Sequence, residues 1–395
     1  MLNLQIDGPR IDARYESFRS QVASFARKEI LPYASEIYQK EIFPFDIVKK
    51  LAENGYLGIP YPKELGGLGL DYLSYAIAAE EISRVCASTG LTVCAHTSLG
   101  TYPIYRFGTE AQKKKYVTQL ASGKILGAFG LTEPNAGSDA AATETTAKKT
   151  SDGYILNGTK RFITSAEYAG TVVVAATLDK SLGVKGITCF IVETGYKGYS
   201  IGQREHKLGL LASNTVELIF EDCFVPKENI LGQEYDGYKI FMETLDGGRI
   251  SIGGHALGIA QGTLDVGLEW LSKHPVKSQQ VSKIIADVTT HIYAARLMVY
   301  DAAMKKDAGV RVDQEAAMAK LYASEVGTWA AGEMMRLIGL ASLTKDYAVE
   351  RFYRDAKLSE IGEGTSEVMR LIIAREMIRK FQAGTDKPDI FQKTK

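Results

Sequence analysis

The spacing of apolar residues changes twice along this chain of 395 residues. In the first part, apolar residues recur at helical spacing, as Phe18, Val22 and Phe25 do. Short runs rich in β-branched residues then replace that pattern, and long stretches of helical spacing return after residue 236. We therefore predict an α+β chain with three domains. They are an N-terminal α-helical domain (1–123), a middle β domain (124–235) and a C-terminal α bundle (236–395).

The middle segment contains three short runs typical of strands, namely Thr171–Leu178, Gly186–Glu193 and Thr215–Phe220. A turn at Ser151–Gly153 favours a hairpin before them. No stretch between these runs is long and apolar enough to be the crossover helix that parallel strands use. We therefore predict antiparallel strands.

The last segment contains four stretches long enough for three or more helical turns. They are Gly247–Lys273, Lys277–Asp307, Asp313–Gly339 and Thr365–Phe381. Long amphipathic helices with short connections predict an antiparallel four-helix bundle. The first stretch contains Gly253, Gly254, Gly258, Gly262 and Gly267. Because each glycine destabilises a helix, their density indicates that another backbone or a ligand packs closely there.

Charge and composition exclude several classes of protein. The chain has 47 basic and 47 acidic residues, so it lacks the positive charge of a nucleic-acid or polybasic membrane binder. Its four cysteines include no CxxC pair and its five histidines form no zinc motif, which predicts free thiols, a reducing compartment and no metal. Asp7, Arg10 and Asp12 exclude an apolar signal-peptide core, and no stretch is apolar enough to span a membrane. We expect a soluble, cytoplasmic protein.

Two short motifs are candidates for chemistry. Phe129–Asp139 (FGLTEPNAGSD) offers hydroxyl and backbone N–H groups to a polar ligand or phosphate. Gly362–Thr365 (GEGT) sets Glu363 between two glycines at the start of a helix, where a flexible backbone can present the carboxylate. Taken alone, each is also compatible with an ordinary capped loop or a solvated turn. The templates of a phosphate loop, a Rossmann site and a hydrolase elbow all fail.

Seven segments, in one order along nearly the whole chain, resemble the acyl-CoA dehydrogenase family. They are Phe129–Asp139, Gly158–Ser165 (GTKRFITS), Lys207–Asn214 (KLGLLASN), Phe220–Gly232 (FEDCFVPKENILG), Thr244–Ile250 (TLDGGRI), Glu315–Glu325 (EAAMAKLYASE) and Arg354–Ala374 (RDAKLSEIGEGTSEVMRLIIA). The short-chain (butyryl-CoA) branch is the most similar, helped by Glu80–Gly90 (EEISRVCASTG). The resemblance implies an N-terminal α-helical bundle, a middle antiparallel β-barrel and a C-terminal four-helix bundle.

The resemblance also implies FAD-dependent α,β-dehydrogenation of a short-chain acyl-CoA thioester. Glu363 matches the family's base, which removes the α-proton while the β-hydrogen leaves as hydride to flavin N5. In the family, the backbone N–H of the base residue binds the thioester oxygen. An α-proton is only weakly acidic, so the base needs a polarised carbonyl and a site that excludes water. We expect burial beside the flavin to raise the pKa of Glu363 when substrate binds.

The other site residues are carried over position by position. The cofactor-binding candidates are Phe129, Leu131, Thr132, Ser138, Phe162, Ile163, Thr164, Gln279, Arg336, Thr365, Ser366 and Glu367. The substrate-binding candidates are Ser138, Asp246, Arg249 and Gly364. FAD is the implied cofactor. The implied partners are an acyl-CoA substrate, an electron-transferring flavoprotein as acceptor, and further copies of the chain in a homotetramer built as a dimer of dimers.

Two family features that bind the FAD diphosphate across subunits are altered. A shorter segment, Trp270–Val276 (WLSKHPV), replaces the Arg-x-x-Phe-Gly loop and has His274 where the Arg would fall. The Gln-x-x-Gly-Gly segment reads Arg336–Leu343 (RLIGLASL). We infer weakened or rearranged FAD binding, with Arg336 as the candidate to replace the missing positive charge.

Three alternatives stay open on the sequence. The altered adenine site also suits a dehydrogenase for a carrier-protein-bound acyl thioester, or a non-redox acyl-CoA lyase on the same fold. The chain can also be an FAD-free subunit of a mixed oligomer, although the retained Glu363 argues against that.

Overall fold

The computed structural model describes residues 11–384, so Asp7 and Arg10 lie outside it. The first part of the described chain is helical, as the sequence predicts. Its α-helices are α1 (Ala13–Phe25), α2 (Ala34–Gln39), α3 (Phe45–Glu53), α4 (Tyr72–Ser83), α5 (Ala87–Cys94), α6 (Tyr102–Phe107), α7 (Glu110–Gln112) and α8 (Thr118–Ala121). The Asp71 carboxylate caps α4 by accepting the backbone N–H of Ser74 at 2.9 Å. Every residue from Leu73 to Ser83 is buried, so α4 lies inside the molecule.

The middle part is a β-sheet. Its strands are β1 (Leu126–Gly130), β2 (Thr146–Lys149), β3 (Gly153–Thr164), β4 (Ala169–Thr177), β5 (Ile187–Glu193), β6 (Tyr199–Arg204), β7 (Thr215–Pro226) and β8 (Ile230–Leu231). They pair in the order β6-β7-β3-β2-β4-β5-β8, and β1 pairs with β4. One face of the sheet packs on the first domain and the start of the C-terminal domain, through residues such as Val173, Ile191 and Ile104.

Two details of the predicted β domain differ from the structure. Pairing within residues 11–384 leaves the sheet open, so a closed barrel is not confirmed. Five strand pairs are antiparallel, as predicted, but β1 runs parallel to β4, and β2 also meets β4 in parallel register at Thr146 and Thr177. The prediction required a helix to connect parallel strands. Here loops and the β2–β3 hairpin make that connection instead.

The last part is again helical. Its α-helices are α9 (Gly237–Lys273), α10 (Gln279–Asp307), α11 (Asp313–Ile338), α12 (Val349–Ile361) and α13 (Ser366–Gln382). Four match the predicted stretches, although α9 begins ten residues earlier than Gly247. The sequence analysis missed α12, in which six of thirteen residues are charged, so its apolar face is short. The domain limits at 123/124 and 235/236 remain our proposal.

The glycines of α9 allow it to touch α4 backbone to backbone. A Cβ on Gly254 would lie 2.9 Å from the carbonyl oxygen of Ala76, and one on Gly258 would lie 2.3 Å from that of Glu80. One on Gly262 would lie 2.3 Å from the carbonyl oxygen of Arg84. Both series advance by four residues, so the two helices run in parallel along one stripe. The expectation of a closely packed backbone is confirmed.

A buried network of charges joins α4 to α1 and α10. Glu80 accepts hydrogen bonds from Arg296 at 2.7 and 2.9 Å and from the Tyr300 hydroxyl at 2.6 Å. Arg19 donates to Tyr300 at 2.6 Å and to Glu81 at 3.2 Å. Burial opposes ionisation of Glu80, but the Arg296 and Arg19 guanidinium groups prevail and lower its pKa to about 2. The network therefore holds three helices at fixed positions.

No helix within residues 11–384 is long and apolar enough to cross a membrane. In the same residues, no three His, Cys, Asp or Glu side chains are grouped so as to hold a metal ion. The four cysteines are free and buried.

Replacing Glu80 should destabilise the protein strongly. In Glu80→Gln, Arg296 loses its buried counter-charge and Arg19 keeps only Glu81 as a buried one, and we expect a loss of about 3–5 kcal/mol in the free energy of unfolding. The matched control is Asp287→Asn, which breaks an exposed ion pair with Lys283 and should change stability by less than about 1 kcal/mol. Urea denaturation of the variants and wild type measures both. Equal stability of the two variants would contradict the proposed importance of the network.

Candidate active site

Glu363 lies in the short connection between α12 and α13. Helix α12 ends at Ile361, and Thr365 caps α13 by accepting the backbone N–H of Val368 on its hydroxyl at 3.3 Å. Glu363 has φ +54° and Gly364 has φ +101°. A non-glycine residue in this left-handed region is strained and is held there by its surroundings. The chain thus turns sharply at the residue that the sequence singled out.

The Glu363 carboxylate points at α9. A Cβ built on Gly248 would lie 2.1 Å from Glu363 Oε2 and 3.2 Å from Leu99, so the absent side chain leaves the room that the carboxylate fills. Glu363 Oε2 is buried and has no hydrogen-bond partner in the described chain. Burial raises the pKa of Glu363 to about 7, against the opposing positive charges of Lys320 and Arg249. The carboxyl can therefore exchange a proton near neutral pH.

Asp246 and Arg249 lie on the same helix, α9, and are hydrogen-bonded to each other through Arg249 Nη1 and Asp246 Oδ1. Arg249 is buried, and its Nε has no partner in the described chain. Burial and the neighbouring Asp313 raise the pKa of Asp246 to about 7. Arg249 directly follows Gly248 on α9, Asp246 precedes it by two residues, and the charge of Arg249 acts on Glu363, so the structure brings these three predicted residues together.

The ends of β1 and β3 form a second group. Phe129 is on β1 and contacts Phe241 of α9, with ring centroids 4.5 Å apart and the ring planes tilted by 52°. Phe162 is near the end of β3, has φ +60°, and leaves 56% of its surface exposed. Ile163 beside it is buried and pairs with Val216 of β7. An exposed aromatic ring on a strained backbone suits a planar aromatic ligand that covers it.

A buried ion pair that the sequence analysis missed joins these two strand ends. Lys160 Nζ donates to Glu133 Oε1 at 2.6 Å and to the carbonyl of Leu131 at 3.2 Å. The backbone N–H of Arg161 donates to the carbonyl of Thr132 at 2.8 Å. Burial lowers the pKa of Lys160 to about 8. A lysine inside the family-like segment GTKRFITS was the available signal, but the sequence does not show whether that side chain is buried or exposed.

The remaining predicted residues are dispersed. Thr164 ends β3, Ser366 and Glu367 begin α13, and Ser138 is exposed in the loop after β1. The hydroxyls of Ser366 and of Ser165, which follows Thr164, are buried without a partner in the described chain. Gln279 is exposed at the start of α10, and Arg336 pairs with Glu333 on its own helix at 2.8 Å. No hydrogen bond or ion pair within residues 11–384 links Gln279 or Arg336 to the Glu363 group.

Comparison with known proteins agrees with this arrangement. The chain matches the N-terminal, middle and C-terminal domains of acyl-CoA dehydrogenase over residues 12–124, 128–223 and 235–378. It is 47% identical to a short-chain specific acyl-CoA dehydrogenase of Clostridium acetobutylicum over 92% of this chain and 98% of that one. The chain therefore belongs to the acyl-CoA dehydrogenase family, which makes it an oxidoreductase whose relatives bind FAD.

Two solved structures share the fold over nearly their whole length. Butyryl-CoA dehydrogenase from Megasphaera elsdenii has a TM-score of 0.91 at 40% identity, covering 94% of this chain and 100% of that one. A chain from a study of the electron transferring flavoprotein of Acidaminococcus fermentans and flavin-based electron bifurcation has a TM-score of 0.92 at 45% identity, covering 94% and 99%.

The residues present fit FAD. The exposed Phe162 ring offers a flat surface, and the unpartnered buried hydroxyls of Ser165 and Ser366 lie next to predicted cofactor residues. Capped by Thr365, α13 presents backbone N–H groups that favour an anion. An aromatic ring, unpaired hydroxyls and a helix start are the groups that a flavin with its polar chain can use.

Gly248→Ala tests the cradle of the carboxylate. The new Cβ would collide with Glu363 Oε2, and a displacement of about 1 Å costs up to about 10²-fold in rate, so we expect a loss of that order in acyl-CoA dehydrogenase activity. Steady-state assays with butyryl-CoA measure it.

The neighbouring glycine provides the control. In Gly247→Ala the Cβ would meet the flexible end of Lys306 at 3.3 Å and the Tyr72 hydroxyl at an ordinary 3.7 Å, and activity should stay within a few-fold of wild type. Similar melting temperatures would exclude misfolding as the cause. Full activity of Gly248→Ala would contradict the cradle.

Proposed function

We propose that the protein is an FAD-dependent short-chain acyl-CoA dehydrogenase that uses Glu363 as its base. The observation that carries the proposal is the buried, unpartnered Oε2 of Glu363, whose pKa burial raises to about 7. A carboxylate without a partner is free to accept a proton from a bound substrate. Family membership and the likeness to a short-chain enzyme support the substrate class.

Residues of this chain have separate roles at the α-carbon and the thioester group of the substrate. Glu363 removes the α-proton of the thioester. Its backbone N–H donates no hydrogen bond within residues 11–384, which supports its use for the thioester oxygen. Arg249 and Lys320 supply positive charge that favours the ionised carboxylate. Gly364 follows the base and leaves the approach to the thioester without a side chain.

FAD, when bound, accepts the β-hydrogen as hydride. We assign Phe162, Ile163 and Thr164 to the flavin ring and Phe129, Leu131, Thr132 and Ser138 to the strand-end side of the cofactor. The Lys160–Glu133 pair beneath these strand ends supports that assignment, since it holds them together before the cofactor arrives. Asp246 and Arg249 bind the substrate, with Ser138 shared between cofactor and CoA.

We assign Thr365, Ser366 and Glu367 at the start of α13 to the diphosphate and ribose region of FAD. Gln279 and Arg336 are the further candidates for that half of the cofactor. Helix α9 runs on to Lys273, and the His274 ring stacks on Trp270 at 4.7 Å, so the short segment has a packed structure of its own. Arg336 is 60% exposed, which leaves its guanidinium accessible to a diphosphate.

We propose a homotetramer in which copies meet through the C-terminal helices. Leu371 and Ile378 on α13 are 70% and 57% exposed, and Leu340 and Leu343 after α11 are 83% and 68% exposed. Apolar surface of this extent supports burial against another copy. Light scattering of the purified protein should give four times the chain mass of 43.2 kDa. A monomer mass would contradict the assembly.

An electron-transferring flavoprotein is the proposed electron acceptor. The similar chain from the Acidaminococcus fermentans study supports it. We also propose a cytoplasmic location, which fits four buried, free thiols and is checked by cell fractionation.

The absorption spectrum of the purified protein tests the function. We expect flavin bands that bleach on anaerobic addition of butyryl-CoA in wild type and do not bleach in Glu363→Gln, because the amide cannot take the α-proton. Equal flavin content in both proteins is the control. If no flavin binds even after FAD is added, the dehydrogenase is excluded, and the non-redox lyase and the FAD-free subunit are the alternatives to test.

The pH dependence of bleaching is a second readout. With a pKa of about 7, Glu363 is the protonated acid below pH 7 and the carboxylate base above it. The value of kcat/KM for butyryl-CoA should therefore rise between about pH 6 and pH 8 and then level off. A flat profile across this range would contradict Glu363 as the base.

A further inference from the structure

Lys320 is a lysine with no solvent exposure in the middle of α11. Ala316, Ala317 and Ala323, which share its face of the helix, are also fully buried. Beside it, Ala317 packs against Met369 of α13. The packing of α13 on α11 therefore places the start of α13, and the turn before it, over Lys320. Burying an ammonium group there destabilises the fold unless the group is hydrogen-bonded or paired with an opposite charge.

The ammonium group of Lys320 contacts the turn that carries Glu363. Lys320 Nζ donates to the carbonyl of Gly364 at 2.5 Å, and within residues 11–384 this is its only hydrogen bond. The accepting residue has φ +101°, and Glu363 before it has φ +54°. Gly364 adopts its positive φ without strain, whereas Glu363 does not and needs an external contact to hold it there. The hydrogen bond from Lys320 Nζ to the Gly364 carbonyl supplies that contact.

Few other charges face the Glu363 carboxylate. Arg249 on α9 is the second cation, and Cys94 on α5 and Tyr75 on α4 are neutral groups on the N-terminal side, each with its pKa raised mainly by burial. Arg249 is already hydrogen-bonded to Asp246, whereas Lys320 has no carboxylate partner in the described chain. Burial lowers the pKa of Lys320 to about 8, so it is charged at neutral pH. The negative charges of Glu360 on α12 and Glu325 on α11 raise the pKa of Lys320, against the effect of burial.

We propose that Lys320 is a positioning residue that holds the Glu363–Gly364 turn in its strained conformation and, through its positive charge, keeps the base ionised in its buried site. This inference deepens the proposed function and rests on it. Lys320 touches neither substrate nor cofactor in this role. It acts through the backbone of Gly364 and through its field at the carboxylate.

Kinetics of Lys320→Met and Lys320→Arg test the charge. In Lys320→Met the pH midpoint of butyryl-CoA-dependent flavin reduction should move upward by about one unit or more, because an opposite charge nearby lowers a carboxyl pKa by about 1–3 units. At pH 7 a shift of one unit lowers the ionised fraction of Glu363 from about one half to about one eleventh, which means roughly five-fold slower reduction. Lys320→Arg keeps the positive charge and should return the pH midpoint most of the way to the wild-type value. The matched control is Lys357→Met on α12, which removes an exposed lysine paired with Glu360 and should leave the midpoint unchanged.

A measurement without substrate separates this inference from the proposed function. Between about pH 4.5 and pH 7, Glu363 is protonated in the folded protein and ionised in the unfolded chain. The stability of wild type relative to Glu363→Gln therefore falls as pH rises through this range and is then flat. In the Lys320→Met background, the same difference should keep falling beyond pH 7. Urea denaturation of the four proteins gives this result even if no acyl-CoA reduces the flavin.

The outcomes are distinct. The role is supported if both the pH midpoint of flavin reduction and the pH at which the stability difference levels off move upward in Lys320→Met, and if Lys320→Arg reverses these shifts. A uniform loss of rate at every pH, with an unmoved midpoint and an unchanged stability difference, overturns it and makes Lys320 a packing residue only. If Lys320→Met does not fold, Lys320→Gln carries the same two measurements. If wild type is not reduced by butyryl-CoA, the proposed function fails while the stability titration still decides the role of Lys320.

Discussion

The close contact between α4 and α9 is the constraint on which the rest of the structure depends. Gly254, Gly258 and Gly262 lie against backbone carbonyls of α4, so no side chain separates the two helices. Helix α9 spans 37 residues, and the same helix carries the Asp246–Arg249 pair and the gap at Gly248. The buried charges around Glu80 then fix α1 and α10 on the other sides of α4. The backbone contact between α4 and α9 fixes the distance between the two helices and, with it, the position of the candidate active site.

Much of this arrangement could be predicted from the sequence. The two changes of apolar spacing give the α, β, α order, and the glycines of α9 indicate a close backbone contact before the partner is known. Glu363 could be singled out because two glycines flank it at the start of a helix, and it does lie at a strained turn with a pKa raised by burial. These features depend on local spacing, which a sequence records directly.

The rest depends on contacts between distant segments, which spacing does not record. The parallel pairing of β1 with β4 joins residues separated by a whole hairpin, and the apolar face of α12 is hidden among charges. Lys160 and Lys320 show the same difficulty, because a lysine in a sequence is usually expected at the surface. Both are fully buried, and each contacts the backbone of a segment far away in the chain.

The Lys160–Glu133 pair has a thermodynamic consequence for the cofactor. Glu133 also accepts the backbone N–H groups of Glu144 and Thr145 at 2.6 and 3.0 Å, so one carboxylate fastens the end of β3, the segment after β1 and the chain before β2. Separating a buried pair of this kind costs several kcal/mol, roughly, so the three segments move as a single body. A cofactor that binds there would use little of its binding free energy to order the protein, and more of that free energy would remain as affinity.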